Sequence, residues 1–520
     1  MTIQLVWFKR DLRLADHAVL AEAATHGPVL PLVIVEPDYW RLPDTSARQW
    51  QFWRGCIADL GAQIAGQGGR LIIRTGAVCD VFEALRSEVG TFDLWSHEET
   101  GNAWTFARDL EVKSWAGVYA IPWHEQRQFG VQRGRDQDRN RWARRWDAMM
   151  HQPVLAVPHT MWAEAVPSDP LPTCADLGLA DDGLIHLQPP GRAAGLAMLG
   201  SFLHERGEHY TREMSSPVSA EQACSRLSPY LAYGAISMRE AHQAAEQRAT
   251  ELAMERPPGH SVWARSIRSF AARLHWHCHF IQKLESEPEI EWEPFARIYI
   301  GMRPRPANAD DMAAWSEGHT GYPFIDAAMR YLNAHGWINF RMRAMLMSFA
   351  SYDLWLPWQE AGQVLARKFV DYEPGIHWSQ CQMQSGETGI NTVRIYSPLK
   401  QGHDQDPSGD FIRAWVPELA QVAGALVHEP WRLDGETRAA LCPAYPPPRV
   451  DHKAASKYAK DEIFARRATA EARAEARGVY VKHGSRAGPV ARRGAKARAV
   501  VKAKAKPKPA PDAPQLTLDF

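Results

Sequence analysis

Apolar and polar residues alternate with two different periods along this chain. In the first quarter, short apolar runs are separated by amphipathic stretches, and the runs at 3–8, 29–35, 71–74, 93–96 and 118–123 are the predicted strands. Such alternation is typical of a parallel sheet with helices on both faces. We therefore predict an α/β fold, a doubly wound parallel-sheet domain, over residues 1–134.

The second half of the chain shows helical spacing instead. Apolar residues recur there three or four positions apart, as at Met342, Met345, Leu346 and Phe349, which indicates an all-α domain over residues 196–467. Residues 135–195 are rich in Pro, Gly, Asp and Arg and are predicted to be an interdomain linker. Residues 468–520 are predicted to be a basic, disordered tail, because the segment has few large apolar residues.

The charge balance conceals a contrast between the body and this tail. The chain has 60 basic and 60 acidic residues, but the last 40 residues contain ten basic and two acidic ones. Seven scattered cysteines without a CxxC pair argue against a disulfide scaffold or a zinc ribbon, so we expect no metal and a reducing, cytoplasmic setting. No signal sequence or membrane-spanning run is recognisable, and we expect a monomer.

Local chemistry around Ser225–Gly234 suggests an anion site. Ser228 followed by Pro229 is a typical helix start, and Gly234 a typical stop. Free N–H groups at a helix start suit a phosphate. A capping box follows at Ser237 and Glu240. From local chemistry alone, two capped helices that bind nothing are the favoured interpretation of this segment.

Several long motifs resemble the photolyase/cryptochrome family. They are EGHTGYPFIDAAMR at 317–330, GWINFRMR at 336–343, VWFKRDLRL at 6–14, RIYSP at 394–398, FIRAWVPEL at 411–419 and the segment 445–453. The resemblance covers residues 3–467 in the family's order. It implies a blue-light flavoprotein with an all-α C-terminal FAD-binding domain. It also implies an optional antenna chromophore, of the folate or deazaflavin type, in the α/β domain.

The resemblance also implies which residues hold FAD. Tyr210 and the Ser225–Ser228 segment match the phosphate site, Arg343 and Asp371 match a pair beside the flavin ring, and Glu373 stands where the family has Asp. The cofactor-binding set implied in this way is Tyr210, Ser225, Arg226, Leu227, Ser228, Arg273, Arg343, Asp371, Glu373 and His377.

The chain departs from the family around the flavin. His377 occupies the place of the residue that faces the flavin N5, where it would tune the redox state or simply be a buried core histidine. Trp358 matches the middle member of the family's three-tryptophan electron chain, but Cys381 and Arg305 replace the other two. A substitute route through Trp378, Trp355, Trp337 and Trp276 and plain aromatic packing are both open.

The substrate helix also departs from the pattern. In FAARLHWHCHF, residues 270–280, either Arg273 or Trp276 takes the family's place, and in both registers the carboxylate that contacts the damaged base is missing. Met383 replaces a second substrate tryptophan. The candidate catalytic residues are therefore Trp358, Trp378, His377 and Met383.

The function implied by the resemblance is light-driven repair of cyclobutane pyrimidine dimers in UV-damaged DNA. The alternatives are a cryptochrome-like photoreceptor without repair activity and a nucleotide-binding scaffold. Asn339 and Phe340 stand where (6-4) repair enzymes carry paired histidines, which favours cyclobutane dimers. The basic tail suits phosphate contacts, and Gln515–Phe520 resembles a peptide that docks on the replication sliding clamp.

Overall fold

A five-stranded parallel sheet forms the core of the first domain. The computed structural model describes residues 1–134, 140–164 and 166–484. The strands are β1 Ile3–Phe8, β2 Val29–Val35, β3 Ile72–Thr75, β4 Phe92–His97 and β5 Trp123–Gln126, in the order β3-β2-β1-β4-β5. The helices between them are α1 Ala18–His26, α2 Pro37–Trp40, α3 Ala47–Ala65, α4 Val78–Val89 and α5 Ala103–Val118. The α/β prediction is confirmed, and the strand order reverses between β1 and β4.

One predicted strand is misplaced. Val118 ends α5, and the strand begins only at Trp123. The buried positions of α5, which include Thr105, Val112 and Ala116, recur at helical spacing, so the period of the whole segment outweighs the β propensity of Val118 at its exposed end.

The second domain is helical, as predicted. Its helices, after α6 Trp142–Met150 in the preceding segment, are α7 Arg192–Ser201, α8 Tyr210–Glu213, α9 Pro217–Ala223, α10 Ser228–Ala232, α11 Met238–Glu255, α12 His260–Ser286, α13 Ala309–Glu317, α14 Pro323–His335, α15 Phe340–Ser348, α16 Trp358–Lys368, α17 Pro374–Ser385, α18 Pro398–Gln405, α19 Asp410–Trp415, α20 Gly435–Leu441, α21 His452–Arg467 and α22 Ala470–His483. Within the described ranges, no helix combines the length and the apolar composition needed to cross a membrane.

The predicted tail boundary at residue 468 is too early. Helix α22 packs on the body through Ala472 and Val479, and Glu475 accepts a hydrogen bond from the backbone N–H of Ile298 at 3.1 Å. His483 contacts Glu287 at 2.6 Å. The Ala, Glu and Arg residues of α22 favour a helix, and docking on the body adds to the stability of this short segment. The rest of the predicted tail, with the Gln515–Phe520 peptide, lies outside the described residues.

A buried arginine joins the two domains. Arg48, on α3, is 1% exposed and donates to the backbone carbonyls of Leu332 at 3.2 Å and Lys368 at 3.0 Å in the helical domain. Its Nε also donates to Asp182 of the interdomain segment at 2.9 Å. These charge-assisted bonds hold the α/β domain in one orientation against the helices that carry the site.

Candidate cofactor-binding site

The helical domain encloses a cavity of about 850 Å³. Its walls come from α8, the start of α10, α12, α15 and α17. All ten residues of the predicted cofactor set line it: Tyr210, Ser225, Arg226, Leu227, Ser228, Arg273, Arg343, Asp371, Glu373 and His377. The fold therefore brings together residues that are far apart in the chain, in a volume within the range of small-ligand sites.

The Ser225–Ser228 wall differs in detail from the prediction. Helix α10 begins at Ser228, but Leu227 is the N-cap, so Ser228 is a first-turn residue and not the capping side chain. Arg226 adopts a φ of 58°, in the left-handed region that few non-glycine residues enter. Its guanidinium lies 4.2 Å from the centroid of the Trp337 ring and 3.2 Å from Glu221. The predicted capping box at Ser237 and Glu240 is confirmed.

Arg343 and Asp371 form a two-bond pair in the cavity wall. The distances are 3.0 Å from Nη1 to Oδ1 and 2.8 Å from Nη2 to Oδ2. Arg343 Nε also donates to the carbonyl of Ile338 at 2.8 Å, and its guanidinium lies over the Phe369 ring at 4.2 Å. A planar fork held at three points is a rigid cation, suited to orient a planar, electron-rich ring.

Two buried oxygen atoms in the cavity wall are available as hydrogen-bond acceptors. Asn339 Oδ1 and Glu373 Oε1 have no hydrogen-bond partner among the described residues. Burial raises the pKa of Glu373 to about 7, against the opposing charge of Arg10 at 3.3 Å. Such orphan acceptors suit ribose hydroxyls or ring N–H groups. With the guanidinium groups of Arg226 and Arg273 for a diphosphate, the residues present fit FAD.

His377 is neutral rather than poised to titrate. Burial lowers its pKa to about 4, and its Nε2–H donates to the carbonyl of Gly362 at 2.8 Å. Because a carbonyl oxygen only accepts, Nδ1 is the unprotonated nitrogen of this tautomer.

We expect the flavin absorption of wild type and His377→Asn to depend on pH in the same way between about pH 5.5 and 8, including any change from Glu373, whose pKa burial raises to about 7. A histidine with a free-peptide pKa near 6.5 would titrate in this window, but the depressed pKa of His377 keeps it neutral throughout. The measurement is a pH titration of the absorption spectrum of wild type and His377→Asn. A transition near pH 6.5 that His377→Asn abolishes would contradict the assignment.

Trp358 and Trp378 form a buried pair behind the cavity. Their ring centroids are 5.9 Å apart, and Trp378 lies 4.9 Å from the His377 ring. Neither belongs to the described lining, which His377 and Cys381 provide in front of them. Gly362 makes room for this arrangement, since a Cβ there would lie 2.7 Å from Trp378 Cζ3. The pair thus stands one residue layer from the cavity.

The other predicted tryptophans separate. Trp337 lies in the cavity wall beneath Arg226. Trp355 packs on Tyr458 at 5.1 Å, near the surface. The ring contacts of Trp276 include Phe280 on the same helix, at 6.0 Å.

Met383 does not belong to the described lining of the cavity. Helix α17 presents His377, Gln380, Cys381 and Gln384 to the cavity, the spacing of one helical face. Met383 is three positions from Gln380, about 60° around the helix, and so lies at the edge of this face. Its assignment as a catalytic residue stays a prediction.

The geometry of α12 decides which of its residues meet the cavity. Arg273 and His277, one turn apart, are the members of this helix that belong to the described lining. His275 and His279 pack instead on the Trp142 ring at 4.8 and 5.7 Å. The predicted lack of a carboxylate therefore holds for the part of α12 in the described lining.

The sheet edge offers little room for an antenna chromophore. At the carboxyl ends of β1 and β2, the cavity lined by Trp7, Glu36 and Arg108 measures about 50 Å³, whereas small-ligand sites span about 300–1,000 Å³. Arg108 fills this edge with bonds to Glu36 at 2.9 Å and Glu99 at 2.6 Å. The described residues here do not fit a folate or a deazaflavin, and the antenna stays a prediction.

Some residues of the described lining were not predicted as cofactor or catalytic residues. Asn339, Phe340, Arg341 and Arg394 lie in the quoted motifs, and Gln380, Gln384 and Lys400 lie outside them. The motif around Arg394 could have indicated the mouth. The sequence does not indicate that Gln380 and Gln384 belong to the site, because only the folded helix α17 shows which face they share.

The fold and the cavity define a two-domain protein of the flavin-binding class. Residues 270–465 match the family model described as the FAD binding domain of DNA photolyase, and residues 4–128 match the DNA photolyase model. The deoxyribodipyrimidine photo-lyase of Streptomyces griseus is 31% identical over 475 residues, 87% of this chain and 97% of that protein. Cryptochrome DASH of Natronomonas pharaonis is 26% identical over 488 residues, 87% and 98% of the two chains.

A solved structure gives the same picture. The bacterial class III photolyase of Agrobacterium tumefaciens superposes with a TM-score of 0.76 at 25% identity, covering 90% of this chain and 98% of that one. The chain belongs to the photolyase/cryptochrome family.

Proposed function

We propose that this protein is a DNA photolyase that splits cyclobutane pyrimidine dimers under blue light with reduced FAD. The observation that carries the proposal is a cavity that extends from buried Asp371 and His377 to the exposed side chains of Arg394 and Lys400. A site that only stored a cofactor would need no exposed basic mouth, whereas a nucleotide swung out of a duplex must enter past the phosphate backbone.

The side chains divide the work. Arg226 and Arg273 bind the diphosphate of FAD, and the Arg343–Asp371 pair orients its ring. When bound and excited by light, reduced FAD would supply the electron that opens the cyclobutane ring. The electron would return to the flavin afterwards. His377 stays neutral and keeps its hydrogen bond to Gly362, so this residue neither gains nor loses a proton beside the ring.

The mouth of the cavity supplies DNA contacts. A groove lined by Lys453, Lys457 and Lys460 on α21 shares Ile395 and Ser397 with the cavity wall. These lysines lie at i, i+4 and i+7, on one helix face beside the opening. Such a row suits sequence-independent contacts to phosphates.

The function is tested with a dimer-containing oligothymidine. Reduced holoprotein is mixed with the oligonucleotide under blue light, and recovery of absorbance near 260 nm is followed. We expect recovery in the light and none in the dark control. Light-exposed, FAD-loaded protein that binds the oligonucleotide and restores no absorbance would rule out the repair proposal.

A cryptochrome-like photoreceptor is the second candidate. It is favoured by α12, where the described lining contains Arg273 and His277 and no carboxylate to contact a damaged base. The relatives also include cryptochromes, such as that of Natronomonas pharaonis. In the same assay a photoreceptor changes its absorption spectrum in blue light while the dimer stays intact.

Trp378→Phe is expected to slow light-driven reduction of the oxidised holoprotein several-fold, and Trp358→Phe likewise. The two indoles form a buried, contacting pair that ends one residue from the cavity. Phenylalanine keeps the packing and removes the oxidisable ring. Trp315→Phe is the matched control, because Trp315 is equally buried and hydrogen-bonded through Nε1 to Leu346. Unchanged rates in both variants would place electron transfer elsewhere.

Replacing Lys453, Lys457 and Lys460 together by alanine is expected to weaken DNA binding and its salt dependence. Each lost phosphate contact makes the negative slope of log K against log salt shallower by about 0.9. Filter binding at several salt concentrations measures it. Lys113→Ala, an exposed lysine on α5, is the control. A slope equal to that of the wild type would mean that DNA does not contact this helix.

A further inference from the structure

Three metal-ligating side chains converge where α6 meets α11, outside the FAD cavity. His151 is the C-cap of α6, and His242 and Glu246 lie one turn apart on α11. Glu246 Oε1 is 3.2 Å from His151 Nε2 and 3.3 Å from His242 Nε2. One ligand atom from each residue lies within 4.8 Å of the other two.

The hydrogen bond of His151 Nδ1 determines the protonation of its other ring nitrogen, Nε2. His151 Nδ1 contacts the carbonyl of Asp147 at 2.7 Å, so Nδ1 carries the proton and donates it. In the neutral ring the lone pair then belongs to Nε2, which is the atom beside Glu246. Metal-bound histidines are commonly oriented in this way, by a carbonyl on the other nitrogen.

His242 is the unexplained member of the cluster. It is only 7% exposed, and apart from the 3.3 Å contact of Nε2 with Glu246 its ring nitrogens have no hydrogen-bond partner among the described residues. Its ring is held edge-on by Trp146 at 5.1 Å and by His151 at 5.7 Å. A buried imidazole whose polar contact is this long is uncommon in a folded protein, and a metal ion between Nε2 and Glu246 would satisfy both groups.

The spacing suits a tetrahedral ion. Nitrogen and oxygen ligands about 2.0–2.1 Å from zinc lie about 3.3–3.4 Å apart at tetrahedral angles, and two of the three separations match this value. Two imidazoles and one carboxylate leave a fourth position for water. The nitrogen-rich set favours zinc over magnesium or calcium.

We propose that His151, His242 and Glu246 form a zinc site that fastens the interdomain segment to the helical domain. The ion enters from solvent, since His151 and Glu246 are exposed. Gln243 already joins the same elements, donating to the carbonyls of Met150 at 2.7 Å and Gln152 at 2.6 Å. The ion adds a cross-link to this contact and stabilises the folded protein by an amount that grows with the logarithm of the free zinc concentration above Kd.

The test is a titration of chelator-treated, full-length holoprotein with zinc chloride, followed by calorimetry and by the melting temperature. We expect one equivalent of zinc to bind and to raise the melting temperature. His151→Ala and Glu246→Gln are expected to lose that equivalent and the thermal shift, with FAD content unchanged. His151 is exposed, so its variant should fold even where His242→Ala does not.

A second histidine–carboxylate pair provides the control. His26 lies 3.7 Å from Glu22 on the exposed face of α1, with the same i, i+4 spacing as His242 and Glu246. His26→Ala is expected to keep the zinc equivalent and the thermal shift. If His151→Ala and Glu246→Gln bind zinc as the wild type does, or if wild type binds none, the site does not exist.

Discussion

Arg343→Ala is expected to lose most of the bound FAD. The substitution removes both bonds to Asp371 and leaves that carboxylate, 7% exposed, without its cation in the cavity wall. Breaking a buried pair in this way costs about 3–5 kcal/mol. If the FAD-bound state bears this cost, the affinity for FAD falls by roughly 100-fold or more. The ratio of absorbance at 450 and 280 nm in purified protein measures the FAD content.

A matched pair elsewhere in the helical domain separates cofactor binding from stability. Arg330 makes the same two-bond contact with Glu418, at 2.8 and 2.9 Å, outside the described cavity lining. Arg330→Ala should lower the free energy of unfolding but keep the FAD ratio of the wild type. If Arg343→Ala and Arg330→Ala retain FAD equally, the Arg343–Asp371 pair is structural and does not hold the ring.

Gly234→Ala is expected to destabilise the protein by about 2–5 kcal/mol, the sum of left-handed strain and overpacking. Gly234 has a φ of 67°, and a Cβ there would lie 2.2 Å from the backbone oxygen of Arg10 and 2.5 Å from the Cα of Asp11. Both are backbone atoms of the α/β domain, so no side chain can move aside. This contact positions the segment that follows α10, and the start of α10 lines the cavity. We therefore expect the FAD content to fall too.

Gly301→Ala isolates the strain from the clash. Gly301 has a φ of 71°, and its Cβ would meet nothing within 4 Å. Its cost should therefore be only the strain, about 1–2 kcal/mol. Urea unfolding of both variants measures the difference. Equal losses for Gly234→Ala and Gly301→Ala would mean that the domain contact tolerates a methyl group.

Much of the fold follows from local pattern. The strands 3–8 and 29–35 coincide with β1 and β2, because short apolar runs buried on both faces have few other stable arrangements. The capping box of α11 is likewise local, since its four residues interact within one turn. Where two local signals compete, as at Val118, the choice depends on which face packs.

The site residues were predicted from motifs. The prediction and the structure differ where a residue's role depends on the start or the face of a helix. The ten cofactor residues meet in one cavity, as the resemblance implied. The prediction that Ser228 is the N-cap was wrong, because the capping role depends on the residue at which the helix begins. The orphan oxygens of Asn339 and Glu373 are visible only once burial is known.

The sequence by itself determined the two-domain order and the parallel sheet, because these depend on the period of apolar residues. Its contiguous motifs predicted ten cofactor-binding residues, which all line one cavity. Only the tertiary structure decided that Trp378 contacts Trp358, that α22 docks on the body and that His151 reaches His242. These contacts join residues from different helices. Their geometry depends on packing, which the order of residues does not display.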